Sequence, residues 1–207
     1  MGYKRRMICI VGETSSGKDT LVKLINKYSK KNYGVNILNP IVSYTTRPKR
    51  KGERDGVEHY FITEKEAKKL LDTNTTLAYT KIEDPKSGKK GYEYFTLLET
   101  INNYNTYLID PNGINNSNIK EYVDILVIYV HVPSFIREFR AKKRSDYKTK
   151  YKARVENEKV QFDNFRKNKE YDIRIENLSI FNFINIPYLY KKIKEFIYFS
   201  GEVKLDV

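Results

Sequence analysis

The stretch GETSSGKDT, residues 12–20, decides the fold of this chain. Its Gly12, Gly17 and Lys18 have the spacing of the phosphate-binding P-loop, in which Gly, four residues, Gly and Lys precede a Ser or Thr. The glycines let the backbone wrap tightly, so that successive N–H groups point at phosphate oxygens while the lysine reaches the outer phosphates. Asp19 stands where that pattern has a Ser or Thr whose hydroxyl contacts Mg²⁺.

The segments on either side of this loop fit the motif. Residues 6–12, RMICIVG, form an apolar run that ends in glycine and predicts a buried parallel strand. Residues 18–31 predict a helix, since Leu21, Leu24, Ile25 and Tyr28 share one face. A strand, a glycine-rich turn and a helix in this order are the context that a P-loop requires.

Strands and helices alternate along the rest of the chain. Further core strands are predicted at 104–110, 124–132 and 171–176, and helices at about 64–73, 114–122, 134–144, 150–168 and 187–199. Such alternation favours an α/β fold with a parallel core sheet. The segment 83–94 predicts a polar turn and the tail 200–207 a frayed end.

The composition limits the class of protein. The chain has 207 residues, the length of one domain, and no apolar run near the ~20 residues that span a bilayer. That absence predicts no membrane association, and the single cysteine, Cys9, predicts a reducing, cytoplasmic compartment. The net charge of +13 suggests polyanionic partners or simply solvated lysine faces. Because no basic-aromatic recognition module is visible, nucleic acid is not an expected partner.

Asp19 does not exclude phosphoryl transfer. Mg²⁺ prefers hard oxygen ligands, so Asp19 could hold the metal directly or through a water molecule, and Thr20 could supply a hydroxyl instead. Alternatively, Asp19 only favours the first turn of the helix through the helix dipole. The sequence leaves these readings open.

A second basic segment, SYTTRPKRKGERDGVEHYF at 43–61, predicts another anion site. Arg47 and Arg50 flank a proline that stiffens the turn, and forked guanidinium groups suit a phosphate monoester. Ser43 could hydrogen-bond a base. The alternative is an exposed basic loop.

This segment resembles the guanylate kinase family. That family carries Ser-x-Thr-Thr-Arg-x-x-Arg-x-Gly-Glu, then Gly and an aromatic pair, and this chain has Ser43, Thr45, Thr46, Arg47, Arg50, Gly52, Glu53, Gly56 and Phe61 in that register. The resemblance implies one domain with a three-layer P-loop NTPase fold. Its core would comprise residues 5–42, 97–137 and 168–199, with a subdomain for the nucleoside monophosphate (NMP) at 43–96, a helical lid at 138–160 and a tail at 200–207.

The resemblance also implies the site residues. ATP would bind to Gly12, Glu13, Thr14, Ser15, Ser16, Gly17, Lys18, Asp19 and Thr20, with Asn177 near its base and Mg²⁺ at Asp19 and Thr20. The NMP would contact Ser43, Arg47, Arg50, Tyr94, Thr96 and Asp110. His59, which is not part of the family pattern, could also contact the NMP, or it could be a loop histidine satisfied by its neighbours. Lys18 and the lid arginines Arg140, Arg144 and Arg154 would act in catalysis by neutralising the transferring phosphoryl group.

Three departures from the family pattern concern the acceptor. The family has a glutamate in a Phe-x-Glu segment that recognises guanine, and this chain has Ala78 or Tyr79 at that position. It also has His59 where the family usually has a tyrosine. Loss of an acid that pairs with guanine N–H groups would weaken base selectivity. The Lys-Asp-Thr after Gly17 is also seen in phage-type deoxynucleotide monophosphate kinases.

The predicted function is therefore ATP-dependent phosphorylation of a nucleoside monophosphate, GMP or dGMP, with Mg²⁺ as cofactor and small nucleotides as partners. Two alternatives remain: a kinase for another (deoxy)nucleoside monophosphate, or a catalytically silent guanylate-kinase-like binding module. Lys18 and the lid arginines favour the enzyme, whereas the missing glutamate favours the alternatives. The expected assembly is a monomer or homodimer.

Overall fold

The computed structural model describes residues 4–50, 52–82, 91–115, 117–143, 147, 151–177 and 185–198. Its elements are β1 (Arg5–Val11), α1 (Lys18–Tyr33), β2 (Tyr44–Thr45), β3 (Tyr60–Phe61), α2 (Glu64–Thr73), β4 (Thr76–Ile82), β5 (Tyr92–Leu97), a 3₁₀ turn (Leu98–Asn102), β6 (Thr106–Leu108), α3 (Pro111–Asn115), α4 (Ile119–Tyr122), β7 (Val123–His131), α5 (Ser134–Lys142), α6 (Lys152–Lys167), β8 (Ile173–Glu176) and α7 (Ile186–Tyr198). Arg144, residues 83–90 of the predicted polar turn and the tail 200–207 lie outside the described residues.

The core sheet is parallel, as the sequence predicts. Its strand order is β6-β1-β7-β8, and β1 pairs with β6 on one side and β7 on the other. Since the carboxyl ends of parallel strands share one edge, the loop after β1, Asp110 after β6 and Asn177 after β8 meet at that edge. Ligands of open α/β sheets bind at this edge.

Helices cover both faces of this sheet because β1 alternates its side chains. On one face Met7, Cys9 and Val11 join a core cluster that contains Phe162 and Phe165 of α6. On the other face Ile8 and Ile10 join Leu21 and Ile25 of α1 and Leu189 and Ile193 of α7. Each such apolar side chain gains roughly 1.5–3 kcal/mol by full burial. The predicted three-layer α/β architecture is thereby confirmed.

A second, smaller sheet carries the arginine-rich segment. Its order is β3-β2-β5-β4, and β4 and β5 form an antiparallel hairpin whose last pair is Ile82 with Tyr92. Helix α2 packs Ala67 against Phe95 and Leu97 of β5. The subdomain and lid boundaries given above stay predictions.

One predicted helix is wrong. The segment 114–122 contains the end of α3 and the whole of α4 rather than a single helix. The Ser117 hydroxyl donates to the carbonyl of Ile114 at 3.0 Å, and such a side-chain bond competes with the helical backbone pattern. Helix α1 extends two residues beyond the prediction and ends at Gly34, whose φ is 77°. None of the described helices combines the length and apolarity that crossing a membrane requires.

Candidate active site

The loop between β1 and α1 is tightly wound, and its glycines have no room for a side chain. A Cβ atom on Gly12 would lie 2.8 Å from the carbonyl oxygen of Val130. Gly17 has a φ of 91°, and a Cβ there would lie 2.9 Å from Nδ2 of Asn177. Ser15 has a φ of 66°, a left-handed conformation that is costly for a residue with a side chain. The backbone thus adopts the strained wrapping that a phosphate cradle needs.

Two hydroxyl groups of this loop are buried without a partner. Among the residues that the structure describes, Ser15 Oγ and Ser16 Oγ are the buried side-chain oxygens that make no hydrogen bond. Buried polar groups are nearly always satisfied, so these two hydroxyls suit a ligand that brings its own oxygen acceptors. Phosphate is such a ligand.

Lys18 lies inside the loop. Its Nζ donates to the carbonyl oxygen of Gly12 at 2.5 Å. Burial lowers the pKa of Lys18, and nearby carboxylates oppose that shift, in decreasing order Glu158, Asp19, Asp110 and Glu13. The charges of four carboxylates therefore favour the ammonium form of Lys18 against the effect of burial.

The Glu13 side chain points away from the cradle into a buried ion-pair cluster. Its Oε1 lies 2.5 Å from Nη1 of Arg166 and 3.7 Å from Nη2 of Arg137. The Tyr129 hydroxyl donates to its Oε2 at 3.2 Å. Glu13 thus fastens the loop to α5 and α6, and a contact with ATP would have to come from its backbone.

Arg140 and Asn177, both predicted near the donor nucleotide, are attached to the loop. Asn177 Nδ2 donates to the Ser16 carbonyl at 2.8 Å, and Arg140 Nη1 donates to the same oxygen at 3.2 Å. Arg140 Nη2 also donates to the Asn177 carbonyl at 3.0 Å. Desolvation lowers the pKa of Arg140.

The predicted metal ligands lie at the start of α1. Asp19 and Thr20 are exposed in its first turn, and Asp110 accepts the Gly113 N–H at 2.6 Å. Over the described residues, no three His, Cys, Asp or Glu side chains group into a metal site. Proteins often bind Mg²⁺ with one or two carboxylates while substrate phosphates and waters complete the octahedron. An exposed carboxylate beside Lys18 fits that mode.

Arg47 lies at the centre of the predicted second anion site. It is buried and forms a two-pronged pair with Glu53, with Nη1–Oε2 and Nη2–Oε1 distances of 2.9 Å. Its Nε donates to the Tyr94 hydroxyl at 3.2 Å. The guanidinium group lies over the Phe61 ring, 5.3 Å from its centroid. These contacts lock the guanidinium group in one orientation.

Arg50 shares the Glu53 carboxylate with Arg47. Its backbone N–H donates to Glu53 Oε2 at 2.7 Å, while its side chain is exposed. Partial burial lowers the pKa of Arg50, and the charges of Arg47 and Arg154 lower it further. The Glu53 carboxylate therefore joins the two arginines of the basic segment, and the charge of one predicted lid arginine, Arg154, acts on Arg50.

The predicted base-contact residues cluster beside these arginines. Ser43 Oγ lies 2.9 Å from Nδ1 of His59, whose ring stands edge-on to Tyr94 with centroids 5.7 Å apart. Burial, followed by the charge of Arg47, lowers the pKa of His59. Thr96 is fully buried, and its Oγ1 lies 2.8 Å from the Tyr107 hydroxyl.

The position of the missing guanine-reading acid is defined by strand pairing. Ala78 pairs with Thr96 across the β4–β5 hairpin, so both side chains point to the same face of the second sheet. Tyr79 points to the other face, where its hydroxyl donates to Glu93 at 2.9 Å. Of the two candidate positions, Ala78 is therefore the one beside Thr96.

Sequence reasoning missed two loop contacts of α6. The Thr14 N–H donates to Oε2 of Glu158 at 2.7 Å, the Thr14 hydroxyl donates to Oε1, and Arg166 pairs with Glu13. Arg154, Glu158, Phe162 and Arg166 recur every four residues on one face of α6. This four-residue spacing places all four side chains on one face of the helix, and it could have predicted the contacts of α6 with the loop.

Comparisons with known proteins agree with this geometry. The guanylate kinase family model matches residues 4–197. A guanylate kinase of Thermotoga maritima is 29% identical over 183 residues, covering 85% of this chain and 82% of that protein. A guanylate kinase of Rickettsia typhi is 31% identical over 144 residues, covering 69% of each chain.

A solved structure has the same fold. The crystal structure of guanylate kinase from Anaplasma phagocytophilum has a TM-score of 0.61 and 18% identity, covering 97% of this chain and 90% of that one. The family model spans nearly the whole chain, including both predicted anion sites and α6. The protein therefore belongs to the guanylate kinase family and is a nucleoside monophosphate kinase.

Proposed function

We propose that this protein transfers the γ-phosphoryl group of ATP to GMP or dGMP. The main observation in support is that residues of α6 act on both predicted anion sites. Glu158 of α6 accepts the N–H and the hydroxyl of Thr14 in the loop, and the charge of Arg154, one turn earlier on the same helix, lowers the pKa of Arg50 in the basic segment. Two phosphate sites that share one helix face are the arrangement that transfer between two bound phosphates requires.

The residues of this chain hold the two substrates in position and neutralise the charge of their phosphates. Loop N–H groups and Lys18 bind the β and γ phosphates of ATP, and Arg47, Arg50 and Tyr94 hold the acceptor phosphate. An acceptor oxygen, already anionic, attacks the γ phosphorus while the bond to the β-phosphate oxygen breaks, so no base catalyst is needed. Arg140, Arg144 and Arg154 neutralise the charge on the transferring group and exclude water.

Asp19 and Thr20 would hold Mg²⁺ that arrives with ATP. When bound, this ion screens the charge of the β and γ phosphates. The exposed Asp19 carboxylate at the start of α1 supports the assignment because Mg²⁺ prefers oxygen ligands.

The acceptor base would be contacted by Ser43, His59 and Thr96, with Asp110 near the acceptor phosphate. Ala78 supplies no carboxylate for the guanine N–H groups, so discrimination against other bases should be weaker than in relatives that have the acid. We infer a cytoplasmic location, nucleotide partners and a monomer or homodimer. The core, NMP-binding subdomain and lid would follow the boundaries given above.

A substrate panel tests the proposed reaction. ADP formation from ATP should be fastest with GMP and dGMP and slower with AMP, CMP and dTMP. Lys18→Met should abolish it, whereas Lys23→Met, which removes an exposed lysine from the same helix, should leave it unchanged. No ADP formation with any acceptor would contradict the proposed function, and a preference for another acceptor would correct the substrate.

A further inference from the structure

A carboxylate of α6 sits on the phosphate loop. Glu158 Oε2 accepts the Thr14 N–H at 2.7 Å, and its Oε1 accepts the Thr14 hydroxyl. Among the charges that affect the pKa of Lys18, Glu158 has the largest influence. One acidic side chain therefore accepts hydrogen bonds from a main-chain donor and a hydroxyl donor of the cradle, and its charge acts on the Lys18 ammonium group.

These three groups are the kind that a phosphate oxygen uses in such a loop. A carboxylate presents two anionic oxygens on one carbon and can accept hydrogen bonds from the same donors. Thr14 can direct its N–H at only one anion at a time. A phosphate that takes this donor must therefore displace the Glu158 carboxylate.

We propose that Glu158 is a further residue of the donor site and sets the affinity of the loop for polyphosphate by competing for the N–H and hydroxyl donors of Thr14. This inference rests on the proposed function, because it takes ATP as the ligand of the loop. The competing group belongs to the helix that also carries Arg154. Binding of ATP would thus require the Glu158 side chain of α6 to change its conformation.

The Glu158 carboxylate can move away from Thr14 while α6 stays folded. Glu158 is half-buried, so a change of its own torsion angles moves the carboxylate toward solvent. The helix remains anchored two turns later by the ion pair of Arg166 with Glu13 and by Phe162 and Phe165, both 1% exposed. The exchange therefore needs rotation of a side chain rather than movement of a domain.

Isothermal titration calorimetry with the 207-residue protein tests this competition. The ligands are Mg²⁺-free ATP, inorganic tripolyphosphate and adenosine. Glu158→Gln keeps the shape of the side chain and removes its charge, so it should bind ATP and tripolyphosphate about five- to tenfold more tightly, with adenosine unchanged. Glu158→Asp keeps the charge but shortens the reach, so it should show a smaller gain.

Glu156→Gln is the matched control. It removes the same charge from an exposed position of α6, so its affinity for ATP should stay within about twofold of wild type. Equal or weaker binding of ATP by Glu158→Gln, or an equal gain in Glu156→Gln, would overturn the inference. Failure of the proposed function is distinguishable, because it appears as absent ADP formation by wild type, whereas tripolyphosphate binding tests Glu158 independently of transfer.

Discussion

Arg47 and Glu53 face each other fork to fork, six residues apart in one loop, with two N–O distances of 2.9 Å. Planar pairs of this kind are among the strongest charge-assisted hydrogen bonds. Glu158 stands in a similar relationship to Thr14 in the phosphate loop. Each of the two predicted anion sites thus contains a carboxylate that accepts hydrogen bonds from its donor groups.

Replacement of Arg47 should weaken the acceptor site alone. Arg47→Ala removes a buried guanidinium group, so the KM for GMP should rise at least about tenfold while the KM for ATP stays unchanged. Steady-state kinetics with each substrate varied in turn measure both. Arg54→Ala, which removes an exposed arginine of the same loop, is the control and should behave like wild type. Equal weakening of both substrates would remove Arg47 from the acceptor site.

Asp19 should govern the response to magnesium. Asp19→Ala removes the exposed carboxylate beside Lys18, so half-maximal activity should require a higher Mg²⁺ concentration, by about three- to tenfold. Activity measured across a Mg²⁺ titration at saturating ATP gives this value. Asp72→Ala, at an exposed position of α2, controls for the change in net charge. An unchanged titration curve for Asp19→Ala would place the carboxylate outside the metal shell.

Glu53 should make stability depend on acidic pH. Its hydrogen bonds with Arg47 lower the pKa of Glu53 from the ordinary 4.5 to about 2. A lowered native pKa means that the stabilisation is fully present above pH 4.5 and is lost as the pH falls toward 2. Urea unfolding from pH 7 to pH 3 should therefore show Glu53→Gln less stable than wild type at pH 7, with a difference that narrows on acidification.

Glu156→Gln serves as the reference for that series, because it removes a carboxylate from an exposed position of α6. Its free energy of unfolding should follow the wild-type curve at every pH. A constant difference between Glu53→Gln and wild type from pH 7 to pH 3 would contradict the assignment of the pH dependence to the Arg47 pair.

Gly12 should tolerate no side chain. In Gly12→Ala the new Cβ would lie 2.6 Å from Ser16 Oγ and 2.8 Å from the Val130 carbonyl. We expect a loss of about 1–3 kcal/mol in the free energy of unfolding and no measurable ATP binding, checked by urea unfolding and titration calorimetry. Gly34→Ala, at a position with positive φ and open space, should lose stability but keep ATP affinity. Normal ATP binding by Gly12→Ala would refute the cradle geometry.

The sequence predicted the features that local spacing determines. Gly12, Gly17 and Lys18 define the loop within seven residues, and the apolar pattern of residues 6–12 defines the strand that carries it. The α/β alternation followed from the same periodicities. These features need no knowledge of distant partners.

The features that sequence reasoning missed depend on contacts between distant residues. Thr14 and Glu158 are 144 residues apart, and Glu13 and Arg166 are 153 apart. Glu13 was therefore assigned to ATP by its place in the motif, although its side chain turns toward α5 and α6. The single helix predicted at 114–122 failed for a local reason, the side-chain hydrogen bond of Ser117.

The central position of β1 has a practical consequence for Cys9. This cysteine is fully buried between two paired strands, and burial raises the pKa of its thiol to about 12. Alkylating reagents attack the thiolate, so modification of Cys9 has to await opening of the core. The rate at which iodoacetamide labels Cys9 therefore measures how often the core opens. Because a bound ligand stabilises the folded state, saturating nucleotide should slow this labelling.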